Sequence, residues 1–78
     1  MANFDPQELL NALGGADNVE EIEGCITRLR TVVNDPDLVD KDALTAAGAM
    51  GVVEAGDSVQ VVVGPQAEMI AEDIEDLL

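Results

Sequence analysis

One thiol and two guanidinium groups stand close together in this chain. Cys25 is its only cysteine, and Arg28 and Arg30 are two of its three cationic side chains, Lys41 being the third. Seventeen Asp and Glu residues leave a net charge of −14. Positive charge gathered beside the sole thiol describes an anion site next to a nucleophile. Guanidinium groups near a thiol favour the thiolate, which is the nucleophilic form. They favour equally any anion that the sulfur carries. A phosphoryl group is one such anion, and charge-assisted hydrogen bonds of about 1.5–3 kcal/mol each would offset the negative charge it adds. Arginine suits this better than lysine because its planar fork matches phosphate oxygens. Gly24 permits unusual turn dihedrals, the amides of Ile26 and Thr27 can form a small anion nest, and Thr27 adds a hydroxyl donor.

The same residues have plainer readings. A lone cysteine in a small domain is often a buried small hydrophobe. Arg28 and Arg30 can pair across a hairpin with Glu20, Glu21 or Glu23, each pair worth little. Thr27 is a good β-former, and Lys41 reads as a helix-surface residue. Phosphatases with a Cys and an Arg separated by five residues are a poor match: Arg28 and Arg30 leave two and four residues between. A strand rather than a helix is expected to follow. A disulfide oxidoreductase would normally show a second cysteine.

Composition narrows the choice further. Seventy-eight residues make one domain, 1–78, near the lower limit for folding without staples. A single cysteine excludes an internal disulfide and points to a reducing compartment, most simply the cytosol. No stretch approaches the roughly 20 apolar residues of a membrane span, so no direct membrane insertion is expected. The start of the chain lacks the basic and apolar regions of a signal peptide. The charge opposes nucleic acid and anionic lipid surfaces. With no His and one Cys, a zinc site lacks ligands, and no cofactor is implied.

The elements that must position the thiol can be read in order. Asp5 as N-cap, Pro6 at the first helical position and Glu8 as capping-box partner open a helix over 6–13, with Phe4 stapled onto Leu9. Leu9, Leu10 and Leu13 form its apolar face, and Gly14-Gly15 ends it. Residues 18–23 read as a short acidic edge strand that Gly24 breaks. Residues 27–33 form a strand with Leu29, Thr31 and Val33 on one face and Arg28, Arg30 and Val32 on the other. Cys25 then lies at the tip between two strands. Asn34-Asp35-Pro36 is a turn signal. Asp40 caps a helix over 41–47 that stops at Gly48. Residues 51–54 and 58–63 flank Ala55-Gly56-Asp57 as a hairpin. A last helix, 65–77, buries Ala67, Ile70, Ile74 and Leu77 against an acidic outer face. The order α-β-β-α-β-β-α predicts an α+β two-layer sandwich, a four-stranded sheet with three helices on one face.

Cys25-Ile26-Thr27-Arg28-Leu29-Arg30 resembles the phosphocysteine signature of enzyme IIB of the bacterial sugar phosphotransferase system, glucose/N-acetylglucosamine branch. The likeness extends through Leu13-Gly14-Gly15, Asn18-Val19, Val39-Asp40, Leu44, Ala47-Gly48-Ala49, Gly51-Val52-Val53, Val59-Gln60-Val61 and Gly64. It covers about residues 9–77. The resemblance implies an antiparallel sheet of order 1-2-4-3. It implies that Cys25 accepts a phosphoryl group from a phosphohistidine on enzyme IIA and passes it to glucose or N-acetylglucosamine held by the membrane component, enzyme IIC. Arg28 and Arg30 would steady the phosphate, with Thr27, Ile26 and nearby amides cradling it. A cytoplasmic monomer, meeting the inner face of the membrane through enzyme IIC, is the corresponding expectation. Gly24 stands where relatives often carry alanine, and the surface is more acidic than theirs. Two other readings remain open at this point: a non-catalytic interaction module that kept the fold, and a small thiol phosphatase.

Overall fold

A computed structural model of the chain describes residues 4–78. Helix α1 spans Pro6–Ala12. Its N-cap carboxylate, on Asp5, accepts from the Gln7 amide at 2.9 Å, and Pro6 supplies a φ already suited to the first turn. The expected capping box with Glu8 is not formed: the Asp5 carboxylate caps the Gln7 amide, one residue earlier, and Glu8 makes no return bond to Asp5. Gly14 and Gly15, at φ 105° and 93°, turn the chain out of the helix in a conformation that glycine adopts without a Cβ clash. Strand β1 (Val19–Cys25) and strand β2 (Arg28–Val33) form the first hairpin. Helix α2 (Lys41–Ala46) is capped by the Asp40 carboxylate, which accepts from the Ala43 amide at 3.0 Å. Strands β3 (Gly51–Ala55) and β4 (Ser58–Val62) form the second hairpin, and helix α3 (Ala67–Glu75) closes the chain.

The sheet is antiparallel throughout, in the order β1-β2-β4-β3. The α+β class, the three helices and the strand order all match expectation. Strand alternation sends Leu29, Thr31 and Val33 of β2 and Val59 and Val61 of β4 into the core, all essentially without solvent contact. Leu9, Leu13, Leu44 and Ile74 meet them from the helices. Each such side chain contributes about 1.5–3 kcal/mol by leaving water, which is how a chain without a disulfide holds together. Helix α3 lies along β1, while α1 packs on α2 and α3.

Asn18 joins the two halves of the first hairpin's base. Its amide donates to the Leu13 and Asp35 carbonyls at 2.7 and 3.0 Å, and its oxygen accepts from the Asp35 amide at 2.8 Å. Being 3% exposed, it needs all of these partners. Thr31, also buried, gives its hydroxyl proton to the Val59 carbonyl at 2.7 Å.

Several boundaries differ from the expected ones. Strand β1 does not stop at Glu23: it continues through Gly24 and ends on Cys25. Gly24 does not supply a turn dihedral. A Cβ there would run into the Glu68 Cα and lie 2.7 Å from the Ala67 carbonyl oxygen, so its role is the close approach of the α3 backbone. Pro65 precedes α3 rather than opening it, and Leu77 lies past the helix at 41% exposure instead of in the core. Short 3-10 turns at Ala16–Asn18 and Pro36–Leu38 fill what composition showed only as breaks and a turn.

Candidate functional site

The first hairpin has a two-residue loop, Ile26-Thr27, between the paired ends Cys25 and Arg28. Such a tight loop needs a left-handed residue to match the strand twist. Ile26 takes that role at φ 51°, among the described residues the one non-glycine with positive φ. A β-branched side chain is poorly suited to it, and Ile26 is also 78% exposed. Strain of this kind, of order 1–3 kcal/mol, persists where the surroundings fix it. Here the fixing groups are two amides. Val63 and Gly64 both donate to the Thr27 carbonyl, each at 3.0 Å, tying the loop to the end of β4.

Cys25 is free and exposed. Gly24 faces α3, so alternation turns Cys25 onto the opposite, helix-free face of the sheet. Arg28 stands directly across from it on β2, and Arg30 shares that face one pair further along, opposite Glu23. Paired side chains of this kind start about 4.5–5.5 Å apart at Cβ, and diagonal ones about 7–8 Å. The structure thus brings Cys25, Arg28 and Arg30 together as expected. It places Ile26 and Thr27 beside them as the loop.

Two neighbours hold the guanidinium groups. Arg28 donates from Nη1 to the Gln60 Oε1 at 2.9 Å, reaching diagonally across to β4. Arg30 Nη1 lies 3.5 Å from the Glu23 Oε1. Pairing of Arg30 with Glu23 was one of the plainer readings of the sequence, and the geometry realises it. Gln60 enters the sequence reading only within the strand over 58–63 and the likeness through Val59-Gln60-Val61. Its sole signal is a polar side chain within a valine run, and that signal acquires meaning only when β4 is known to lie next to β2. Lys41 is elsewhere, 3.5 Å from Glu54, where it joins α2 to β3. Among the described residues no cluster of metal-ligating side chains occurs.

The arrangement presents a nucleophilic sulfur and two forked cations on an open surface rather than in a cavity. Chemically it can accept and hold a doubly charged tetrahedral anion.

Residues 7–40 match the sequence family described as phosphotransferase system, EIIB. Over 72 residues the chain is 58% identical to the N-acetylglucosamine-specific EIIB component of the phosphotransferase system of Streptomyces coelicolor, covering 92% of this chain and 94% of that protein. The chain belongs to the EIIB family of the phosphotransferase system.

Other EIIB relatives are parts of longer proteins. The glucoside-specific and glucose-specific EIICBA components of Staphylococcus carnosus are 41% and 40% identical over 73 residues. This chain spans 10% and 11% of their lengths. One domain of a phosphotransferase system IIabc component from Clostridium difficile superposes with a TM-score of 0.77 at 24% identity, over 91% of this chain and 75% of that one. That likeness establishes the shared fold. EIIB components are phosphotransferases, and the family places this chain in sugar transport. None of the described helices is long and apolar enough to cross a membrane.

Proposed function

We propose that this EIIB chain, folding as one domain over 1–78, carries a phosphoryl group on Cys25 between enzyme IIA and a sugar bound to enzyme IIC. The observation that carries this reading is the exposed Cys25 sulfur at the end of β1, with Arg28 and Arg30 on the same open face. In the first step the thiolate attacks phosphorus of a phosphohistidine. The S–P bond forms, the N–P bond breaks, and the proton lost by the thiol balances the one taken up by the imidazole. In the second a sugar hydroxyl attacks phosphorus, the S–P bond breaks, and the hydroxyl proton balances the one the sulfur regains. Little covalent chemistry is asked of the protein, so positioning and charge do the catalysis. Arg28 and Arg30 neutralise the phosphoryl oxygens, and the Ile26 and Thr27 amides complete the cradle. The sugar is N-acetylglucosamine or glucose, in keeping with the names of the relatives.

Exposure supports transfer between proteins. Ile26, Met50 and Val53 are exposed apolar residues at 78, 70 and 51%, the first beside the thiol and the others on or next to the β3 edge of the same sheet. A partner surface can cover them while its phosphohistidine meets Cys25. The EIICBA names of the Staphylococcus relatives fit partners of the IIA and IIC kinds. The protein would then work at the cytoplasmic face of the membrane without entering it.

Mixing the protein with phosphorylated enzyme IIA and measuring its mass tests this directly. A single phosphoryl adduct on the wild-type chain, absent from Cys25→Ser, is expected. No adduct, or one that survives in Cys25→Ser, overturns the reading.

A further inference from the structure

Arg30 is already engaged by an anion when the thiol is free. Its guanidinium lies 3.5 Å from the Glu23 carboxylate, directly opposite on β1. Glu23 and Cys25 are two residues apart on the same strand and the same face, hence about 7 Å apart along it. Arg30 therefore has two anion positions within the swing of its side chain: the carboxylate across from it and, diagonally, whatever the sulfur bears. Moving from one to the other needs a rotamer change and no backbone movement.

The magnitudes favour such an exchange. Both side chains are well exposed, 57% for Arg30 and 68% for Glu23. Exposed carboxylate pairs are weak, and a dianionic phosphoryl group offers more charge and more acceptor oxygens than one carboxylate. Arg28 differs, because its partner is the neutral Gln60, which offers it no competing charge. The two arginines thus have unlike resting partners on one face.

We infer that Glu23 is a displaceable internal anion: it holds Arg30 while Cys25 is a free thiol and yields it when the sulfur carries a phosphoryl group. This rests on the reading of Cys25 as the phosphoryl carrier. Glu23 is a positioning residue, acting through Arg30. Its carboxylate weakens the grip of the site on the phosphoryl group, so the group is held loosely enough to be passed on.

The test has a part that needs no partner. Cys25 is alkylated with iodoacetate, an anion, and with neutral iodoacetamide, and the ratio of the two rates is read. Glu23→Gln frees Arg30 and raises that ratio about twofold to fivefold. Glu21→Gln removes the same charge one outward position further away, opposite Val32 rather than Arg30, and changes it less. In an Arg30→Gln background, Glu23→Gln raises the ratio clearly less, by the direct effect of its charge alone. In the second part, Glu23→Gln raises the equilibrium fraction of phosphocysteine against phosphorylated enzyme IIA by a similar factor and slows release to sugar.

An unchanged ratio in Glu23→Gln, an equal rise in Glu21→Gln, or a rise undiminished without Arg30 overturns the inference, while the wild-type adduct would still form. Absence of that adduct from the wild-type protein overturns the carrier reading instead, and with it the phosphoryl role given to Glu23.

Discussion

At the scale of single residues, the role proposed for Arg30 asks for more than its charge. Arg30→Lys keeps the cation but loses the planar fork. In a sugar phosphorylation assay with enzymes IIA and IIC, this variant is expected to work at least about tenfold more slowly, the loss of one good charge-assisted bond. A wild-type rate would count against the role of Arg30. Ile26 presents the opposite case, a side chain poorly matched to its backbone. At φ 51° it bears a left-handed penalty of about 1–2 kcal/mol that asparagine largely escapes. With 78% of the side chain exposed, little burial is lost on replacement. Ile26→Asn should therefore stabilise the protein by about 1 kcal/mol in a denaturant titration. A loss of stability would mean that Ile26 makes contacts its exposure does not suggest. Gaining stability by altering a residue next to Cys25 would fit strain retained for function.

At the scale of elements, the thiol is placed by what lies beneath it. Gly24 lets the first turn of α3 sit directly on β1, one residue from Cys25. Gly24→Ala forces a Cβ into the Glu68 and Ala67 backbone. Overpacking of this kind costs about 1–3 kcal/mol, measurable by thermal or denaturant unfolding. Backbone amide resonances of residues 66–69 and of Cys25 should shift together, whereas a purely local adjustment would leave α3 unmoved. The base of the hairpin is held by Asn18. Asn18→Ala leaves the Leu13 and Asp35 carbonyls and the Asp35 amide without their partner. The Leu13 carbonyl is buried, and leaving it unsatisfied costs about 1–3 kcal/mol, whereas the Asp35 carbonyl still accepts from the Leu38 amide at 3.2 Å, so a loss of about 1–3 kcal/mol is expected. Phosphoryl acceptance by the remaining folded molecules should persist, because Asn18 lies at the far end of β1 from Cys25.

At the scale of the whole molecule, charge dominates. A net charge of −14 on 78 residues repels itself in the folded state more than in the expanded chain. Raising the salt concentration from about 0.01 M to 1 M shortens the screening length from about 30 Å to about 3 Å. The melting temperature should rise over that range, and a flat or falling profile would show that the acidic side chains are not in net repulsion. The same screening weakens any attraction between the Arg28 and Arg30 face and an anionic partner, so stability and transfer rate should respond to salt in opposite directions.

The sequence by itself determined the elements and the grouping of one thiol with two guanidinium groups. Caps at Asp5 and Asp40, glycine stops at Gly14 and Gly48, and alternation in 27–33 are local signals, governed by backbone sterics within a few residues. The Cys25, Arg28 and Arg30 cluster was legible for the same reason, since strand alternation and a tight hairpin suffice to bring them together. Tertiary structure decided what depends on contacts distant in sequence. It set β4 beside β2 and so gave Arg28 its partner Gln60, 32 positions away. It brought the backbone of α3 onto Gly24, changing that glycine's role from turn former to contact surface and carrying β1 on to Cys25. It also moved the unusual dihedral to Ile26, because the loop's twist and its anchoring by Val63 and Gly64 outweigh the preference of a β-branched residue. Periodicity reports which face a residue occupies; which strand lies alongside that face is set by burial of the whole core.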